Sequence, residues 1–247
     1  MNISIITVCY NSEATLEDTI KSVAAQSYNN IEYIIIDGNS KDNTIKIIEK
    51  YSDVVTKWIS ESDNGLYDAM NKGINIATGD IIGILNSDDI FCDKYAVEKV
   101  MSIFNNNSDL DSVYGDIYYV SQTDTDKIVR RWKTGKQKKF STGWHPAHPT
   151  FYVKKNIYDK FGSFNLNYKL ASDFEIMLRF LECGNISAKY LPEPLIKMRL
   201  GGETNKSLKN ILSQNKECVK AFEANNIKIN PIIYLIRRLI PKIKQFF

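Results

Sequence analysis

Acidic side chains follow three of the first four apolar runs of the chain, and they are the residues best suited to chemistry. Asp37 comes after the second run, Asp63 after the third, and the pair Asp88 and Asp89 after the fourth. Carboxylate oxygens bind Mg²⁺ or Mn²⁺, and such a cation in turn binds phosphates. The adjacent aspartates therefore predict a metal site that serves a phosphorylated ligand. Capping of the following helix is the simpler interpretation, but it does not explain the other carboxylates.

These carboxylates are positioned by an alternation of strand and helix patterns. The β-branched runs at residues 3–10, 31–36, 54–59 and 80–85 are typical of buried parallel strands. Helical spacing of apolar residues separates them, and Ser40 is the predicted N-cap of the second helix. Such an alternation predicts an α/β fold with a mostly parallel sheet flanked by helices on both faces. Ligands of these sheets bind beyond the carboxyl ends of the strands, where the aspartates lie.

The second half of the sequence is less regular. Short strands are predicted at residues 112–120, 127–132 and 150–153, and a strand at 186–199 contains Pro192 and Pro194. We predict that the two prolines interrupt this last strand. Helical patterns at 174–183 and 206–223 complete this half, the second of them polar enough for a surface helix. No linker is long enough to require two independent domains.

Composition and motifs exclude several classes of protein. Lys and Arg number 32 against 29 Asp and Glu, so the net charge of +3 is too small for a dedicated nucleic-acid binder. The GxGxxG and GxxxxGK[ST] loops are absent, which removes the main support for a dinucleotide-dependent dehydrogenase or a P-loop NTPase. The 4 cysteines are scattered and no apolar stretch is long enough to span a membrane. These features favour a reduced, cytoplasmic environment.

Five segments in order resemble the inverting glycosyltransferases of family 2, which have the GT-A fold. They are residues 6–11 (ITVCYN), 22–28 (SVAAQSY), 37–44 (DGNSKDNT), 63–73 (DNGLYDAMNKG) and 85–89 (LNSDD). The similarity covers about residues 3–200, and the fourth segment resembles the subgroup that builds bacterial capsule, O-antigen or exopolysaccharide. It implies transfer of a sugar from a nucleoside-diphosphate sugar, with UDP favoured and GDP open. The implied acceptor is a polyisoprenoid-linked or growing saccharide.

The resemblance also implies roles for residues of the donor site. Thr7, Val8 and Tyr10 would line the base pocket, with Tyr10 stacking on the base, and Asp37 would accept a hydrogen bond from the base or ribose. Asp88 would contact the ribose and the metal, and Asp89 the metal, which is Mn²⁺ or Mg²⁺. Asn86 stands where the first carboxylate of the DxD motif often sits, so which aspartate binds the metal stays open. The other expected donor-binding residues are Asn11, Asn71, Lys72, Ser87, His148 and Arg199.

Three of those residues have more specific expected roles. Arg199, followed by Gly201 and Gly202, resembles the closing loop of the family and would neutralise the β-phosphate. Lys72 is a second candidate for the phosphates, although a solvated surface lysine explains it equally well. His148 precedes a Thr-Phe strand and would contact the diphosphate or an acceptor hydroxyl.

The predicted general base is Asp173, because the pair Ser172 and Asp173 matches the "ED" site of the family. An inverting transfer is a single displacement in which a base accepts the proton of the acceptor hydroxyl. Asp173 comes just before an amphipathic helix, so the alternative is an ordinary helix N-terminal acid favoured by the macrodipole.

The C-terminal residues 227–247 contain lysines and arginines but no acid. Over 232–247, apolar residues fill one arc of a helical wheel and cationic residues the other, with Tyr234 as the exception. Such a helix is suited to an anionic membrane surface, which predicts a peripheral protein on the inner face of the cell membrane. The alternative is a helix packed on the core of the protein or on a second subunit.

The predicted organisation is therefore a glycosyltransferase domain over residues 1–203 and C-terminal helices over 204–247. Within the domain, residues 1–105 would bind the donor and 106–203 the acceptor. Two other classes are weighed against this one. A nucleotidyltransferase normally needs a glycine- and basic-rich first loop, which residues 10–13 (YNSE) do not provide. A binding module without turnover has no need for Asp88, Asp89 and Asp173 together.

Overall fold

The computed structural model of the chain describes residues 1–201 and 207–244. In these ranges nine strands and eight α-helices alternate at first and then group together. The strands are β1 (Ile3–Cys9), β2 (Ile31–Asp37), β3 (Lys57–Ser60), β4 (Ile81–Ile84), β5 (Asp89–Phe91), β6 (Ser112–Val120), β7 (Ile128–Trp132), β8 (Tyr152–Lys154) and β9 (Ala188–Arg199). The helices are α1 (Leu16–Ala24), α2 (Thr44–Lys50), α3 (Leu66–Ile76), α4 (Ala96–Asn105), α5 (Lys155–Phe161), α6 (Ser172–Leu178), α7 (Leu208–Ala224) and α8 (Pro231–Lys244).

One sheet contains all nine of these strands, in the order β3-β2-β1-β4-β8-β6-β9-β5, with β7 paired to β6 outside this path. The strands β3, β2, β1 and β4 are mutually parallel. All seven residues of β1 are buried, as expected for a strand covered on both faces. The carboxyl ends of these strands therefore meet at one edge of the sheet.

The other half of the sheet is mixed. β8 runs antiparallel to β4 and β6, while β6 and β9 are parallel. β6 was expected to be partly exposed, but it lies between β8 and β9 and is almost entirely buried. β9 is continuous through Pro192 and Pro194, contrary to the expected interruption. Its pairing with β6 shifts register on both sides of Asp116, and this irregularity accommodates residues that lack an N–H donor.

Helices cover both faces of the sheet and create two hydrophobic cores. α1, α2 and α4 pack on one face, and α3, α6, α7 and α8 contribute to the core on the other. α7 is less polar than its sequence suggests, since Cys218, Ala221 and Phe222 are fully buried. Of the helices in the described ranges, none combines the length and hydropathy needed to cross a bilayer.

Candidate active site

Three loops meet at the carboxyl edge of the parallel strands and are tied together by hydrogen bonds. The Asn11 N–H donates to Ser40 Oγ (2.8 Å), and the Lys41 N–H donates to Asn11 Oδ1 (2.8 Å). Ser12 Oγ and Ser87 Oγ share a hydrogen bond of 2.9 Å, which joins the loop after β1 to the loop after β4. Asn11 and Ser87 thus hold the loops in place, and their expected direct contacts with a donor stay predictions. Ser40 does not cap α2, which begins at Thr44.

Tyr10 is the open side chain of the first loop. It is 62% exposed and lies beside Gly38. A Cβ built on Gly38 would be 2.6 Å from Asp63 Oδ2 and 3.4 Å from Tyr10 Cδ2, so the backbone forms a floor between these side chains. An exposed aromatic ring beside a bare backbone surface is well suited to stack on a planar base.

Thr7 and Val8 do not line that surface. Both residues are buried within β1, and Thr7 Oγ1 accepts a hydrogen bond from the Tyr33 hydroxyl (3.1 Å). The side chain of Val8 packs in the hydrophobic core on one face of the sheet, and the base contacts that the resemblance implies for Thr7 and Val8 stay predictions. The accessible polar and aromatic groups of this part of the chain lie in the loop that follows β1.

Asp37 is also enclosed. Its carboxylate accepts hydrogen bonds from the Ser40 N–H (3.0 Å), from Ser60 Oγ (2.6 Å) and from Ser40 Oγ. Burial, together with the charge of Asp37, raises the pKa of the neighbouring Cys9 thiol. Asp37 has no exposed surface and helps to shape the loop, and its expected hydrogen bond to the base or ribose stays a prediction.

The two aspartates after β4 occupy different environments. Asp88 is half-buried, whereas Asp89 is completely buried and accepts a hydrogen bond from Asn86 Nδ2 (2.9 Å). Burial, assisted by the charge of Asp88, raises the pKa of Asp89 well above its usual value. Asp89 Oδ1 is buried without a hydrogen-bond partner, as is Asn86 Oδ1, and the assignment of Asp89 to the metal stays a prediction. Asp88 is the more accessible of the two aspartates.

Arg199 holds the backbone of this loop. It is 6% exposed, and its guanidinium donates to Asp18 Oδ2 (2.6 Å), to the Asp88 carbonyl (3.0 Å) and to the Gln122 carbonyl (3.2 Å). These contacts use donors of the guanidinium within the protein, and the expected neutralisation of a phosphate by Arg199 stays a prediction. Gly202 of the same predicted closing loop lies outside the described residues.

A divalent cation fits this edge if the protein and the phosphates of the substrate bind it together. No cluster of three or more His, Cys, Asp or Glu residues suited to a metal occurs in residues 1–201 and 207–244. Mg²⁺ commonly binds through one or two carboxylates, several waters and the phosphates of the substrate. The half-buried Asp88 meets that requirement, and Asn86 Oδ1 beside it is a buried oxygen without a partner.

Asp173 lies in the first turn of α6 and belongs to an aromatic cluster. The Tyr67 hydroxyl donates a hydrogen bond to Asp173 Oδ1 (3.1 Å). Tyr67 stacks on Phe164 with 5.5 Å between ring centroids, and His148 packs edge-on against Phe164 at 5.6 Å. Tyr67 and His148 therefore flank the predicted base.

His148 also connects this cluster to the loop after β4. Ile81 and Ile82 pair antiparallel with Lys154 and Val153, so the turn His148–Thr150, just before β8, runs alongside the end of β4. Burial lowers the pKa of His148, while the negative charge of Asp173 partly opposes this change. His148 is therefore neutral near pH 7 and can donate or accept a hydrogen bond.

Asn71 and Lys72 both form polar contacts within the protein. The Asn71 amide is paired twice with the backbone of Phe164, as donor to its carbonyl and as acceptor from its N–H, both at 2.9 Å. Lys72 Nζ forms an ion pair with Glu61 (2.8 Å) and donates to the Ser62 carbonyl (2.9 Å). The expected nucleotide-sugar contacts of these two residues stay predictions.

Sequence reasoning missed two residues that position Asp173. Tyr67 is an aromatic residue in the first turn of a helix that follows a strand end, and this placement was the available signal. Glu217 of α7 accepts hydrogen bonds from the N–H groups of Lys169 (3.2 Å), Leu170 (2.8 Å) and Ala171 (2.9 Å), immediately before α6. No local pattern could have found a partner so distant in sequence.

The first prediction concerns the contact between Tyr67 and Asp173. We expect Tyr67→Phe to lower kcat by about 10-fold, in line with one lost hydrogen bond to a charged group. The melting temperature should change little, because the ring and its stack on Phe164 remain. Steady-state kinetics checks this, with Tyr95→Phe at an exposed site as the control. Wild-type kcat in Tyr67→Phe would contradict the positioning role.

Comparison with known proteins agrees with this architecture. Residues 4–167 match the model of glycosyl transferase family 2, and the chain belongs to this family. An uncharacterized glycosyltransferase of Mycobacterium tuberculosis is 31% identical over 185 residues, which cover 72% of this chain and 68% of that protein. A PGL/p-HBAD biosynthesis glycosyltransferase of Mycobacterium bovis is 24% identical over 95% of this chain and 90% of its own length. The predicted glycosyltransferase class is thus confirmed.

Solved structures confirm the GT-A fold. Staphylococcus aureus TarS 1–349, in complex with UDP-GlcNAc, superposes with a TM-score of 0.69 over 96% of this chain and 70% of that one, at 17% identity. The mannosyltransferase PcManGT from Pyrobaculum calidifontis, in complex with GDP-Man and Mn²⁺, gives a TM-score of 0.70 at 14% identity, over 99% and 69% of the two chains. At these identities the likeness concerns the fold.

Proposed function

We propose that this glycosyltransferase moves a sugar, with inversion, from a nucleoside-diphosphate sugar to a polyisoprenoid-linked or growing saccharide of a bacterial surface polysaccharide. The observation that carries the proposal is that the half-buried Asp173 is hydrogen-bonded to Tyr67, in the first turn of the helix that follows β3, while the half-buried Asp88 follows β4. The parallel strands β3 and β4 end at the same edge of the sheet. His148 lies just before β8, which pairs with the strand β4 that leads to Asp88, and the charge of Asp173 acts on its imidazole. An inverting displacement needs a base at the acceptor and compensation of charge at the leaving group.

The donor end of the site is formed around Tyr10. Its exposed ring and the adjoining Gly38 backbone provide a flat surface for a nucleoside base. TarS structures contain UDP or UDP-GlcNAc, and the PcManGT structure contains GDP-Man with Mn²⁺. We favour UDP as the nucleotide here and keep GDP as the alternative.

Asp88 is the residue that would hold a divalent cation, Mn²⁺ or Mg²⁺. Bound there, the cation would supply positive charge to the diphosphate as it leaves. Arg199 and Asp89 help to hold the loop that carries Asp88. Arg199 donates a hydrogen bond to the Asp88 carbonyl, and Asp89 accepts one from Asn86 in the same loop.

Asp173 accepts the proton of the attacking hydroxyl. Tyr67 donates to Oδ1 of this carboxylate, which leaves Oδ2 as the oxygen for the acceptor. The neutral His148 provides a second polar group where the acceptor hydroxyl must approach the sugar. The carboxylate is thus oriented before the substrate arrives, which is the condition for efficient general-base catalysis.

The function is tested with a small matrix of donors. UDP-glucose, UDP-GlcNAc, UDP-galactose and GDP-mannose are each incubated with Mn²⁺ and a polyisoprenyl-diphosphate-linked N-acetylhexosamine. We expect release of UDP or GDP with one donor above the rest, loss of release in EDTA, and an inverted anomeric centre by NMR. Release of pyrophosphate would indicate a nucleotidyltransferase, and binding of a nucleotide without any product would indicate a binding module.

The membrane part of the proposal depends on the outer face of α8. Ile232 is 70% exposed, and Ile233, Ile236 and Leu239 on the same face are about half exposed. Arg238 was expected on an exposed cationic face, but it is buried together with Tyr234 against the body of the protein. The helix therefore packs on its own core and still presents an apolar stripe. With no acid after Glu223, that stripe is suited to an anionic lipid surface on the cytoplasmic side.

The second prediction concerns this apolar stripe. We expect the double variant Ile232→Glu, Ile236→Glu to bind phosphatidylglycerol vesicles at least about 10-fold more weakly, since each buried isoleucine is worth about 1.5–3 kcal/mol. Vesicle co-sedimentation measures this, with Tyr95→Glu on the opposite face of the sheet as the control. Truncation after Asn230 is a poorer test, because it also removes Tyr234 from the core. Undiminished sedimentation of the double variant would refute membrane binding by α8.

A further inference from the structure

Arg238 is a buried cation on the inner face of α8. It is 6% exposed, and its Nη1 donates to Cys218 Sγ (2.5 Å) and to the Tyr234 hydroxyl (3.4 Å). Its Nη2 donates to Gln214 Oε1 (3.2 Å), while its Nε is buried without a partner. A buried donor left unpaired costs about 1–3 kcal/mol. The guanidinium is therefore only partly paired in its buried site.

Gln214 extends the contact of Arg238 to the segment that carries Asp173. The amide accepts from Arg238 through Oε1 and donates through Nε2 to the Leu170 carbonyl (3.2 Å). Glu217, on the same side of α7, accepts the three consecutive N–H groups of residues 169–171. Two side chains of α7 thus form hydrogen bonds with backbone N–H groups and a backbone carbonyl of the segment directly before α6. Arg238 forms a hydrogen bond with one of them, Gln214.

Phe174 provides a second connection, independent of Gln214. Phe174 follows Asp173 in the sequence, and the centroid of its ring lies 5.6 Å from Cζ of the Arg238 guanidinium. Tyr234, also on α8, packs on the same ring at 6.3 Å, and Phe222 of α7 packs on it at 5.6 Å. The first turn of α6 is therefore bounded by both C-terminal helices.

We propose that Arg238 is a positioning residue for Asp173, acting through Gln214 and Phe174. This inference rests on the proposed role of Asp173 as the general base. A base must lie within hydrogen-bond reach of the proton it accepts, and a displacement of about 1 Å costs up to about 100-fold in rate. The helix with the exposed apolar stripe is thus also the helix that fixes the catalytic carboxylate, and seating of α8 on the body of the protein sets the turnover rate.

The test combines a rate with a measurement that needs no substrate. Arg238→Gln and Gln214→Leu are compared with Lys220→Gln, an exposed cation on α7. We expect both test variants to speed amide hydrogen exchange in residues 165–174 at least several-fold, with unchanged exchange in β1 and β2. With the best donor of the matrix above, kcat should fall about 10-fold for Arg238→Gln while the donor Kd stays within about 2-fold. Arg238→Lys, which keeps the charge, should recover part of the rate.

The outcomes separate this inference from the proposed function. Unchanged exchange in residues 165–174 overturns the positioning role, whatever the rate does. Faster exchange with an unchanged kcat overturns it as well, because the segment then does not limit turnover. Gln214→Leu removes only a half-buried side chain, so it keeps the test valid if Arg238→Gln fails to fold. Absence of turnover by the wild-type chain with every donor would instead refute the proposed function, and the exchange measurement would still decide whether Arg238 orders the segment.

Discussion

Replacement of Asp173 by asparagine is expected to lower kcat by roughly 10²- to 10⁴-fold, which is the usual contribution of a general base. The amide has nearly the shape of the carboxylate and can still accept the Tyr67 hydrogen bond at Oδ1. It cannot accept the proton of an acceptor hydroxyl, so the defect should lie in the chemical step. Release of the nucleoside diphosphate under saturating donor and acceptor measures it.

Donor binding and stability distinguish this result from a folding defect. The donor Kd and the melting temperature of Asp173→Asn should match the wild type, because the side chain is half-buried and the proposed donor site is formed by other loops. Asp159→Asn, at an exposed position of α5, is the matched control and should keep full activity. A kcat within about 3-fold of wild type in Asp173→Asn would remove the base from this residue and leave His148 as the next candidate.

The sequence predicted the first half of the fold well because its signals are local. Runs of β-branched residues that are buried on both faces can hardly be anything other than central parallel strands. Each such strand ends in polar residues, so Asp37 and Asp88 were correctly expected at one edge of the sheet. The direction of each side chain was not available from the pattern. Thr7 faces Tyr33 in the interior, and Asp37 is enclosed by the serines around it.

Several of the expected site residues form hydrogen bonds within the protein, and they share a physical feature. Polar residues close to a reaction centre either contact the substrate or hold the residues that do, and motif spacing is the same in both cases. Asn71 pairs with the backbone of Phe164, and Arg199 pairs with Asp18 and with the Asp88 carbonyl. These partners are distant in sequence, so only the folded chain reveals which donors are already used.

The C-terminal helix shows the same limit in another form. Its amphipathic pattern was evident from the sequence, and two interpretations were weighed as alternatives, a membrane helix or a helix packed on the core. In the structure Tyr234 and Arg238 face the body of the protein while Ile232 and Ile236 face solvent, so the helix packs on the core, and its binding to a membrane stays a proposal. Arg238 was assigned to the cationic surface, since a helical wheel contains no information on a buried partner such as Gln214.

The aspartates after β4 provide the second large effect. We expect Asp88→Asn to weaken Mn²⁺-dependent donor binding by about 100-fold, since a neutral amide is a poor ligand for a hard cation and bound metal is worth several kcal/mol. The melting temperature without ligand should be unchanged, because Asp88 is only half-buried. Calorimetric titration of the donor at several Mn²⁺ concentrations measures the change, and a higher Mn²⁺ requirement is the expected signature.

Asp89→Ala is the informative counterpart, since it lies one residue away and is completely buried. It removes the acceptor of the Asn86 amide, and a buried donor without a partner costs about 1–3 kcal/mol. For a chain of this size that loss lowers the melting temperature by roughly 2–4 °C per kcal/mol. Its Mn²⁺ requirement should stay that of the wild type. If Asp89→Ala raised the Mn²⁺ requirement while Asp88→Asn did not, the metal would belong to Asp89 after all, and the loop would have to open to admit it.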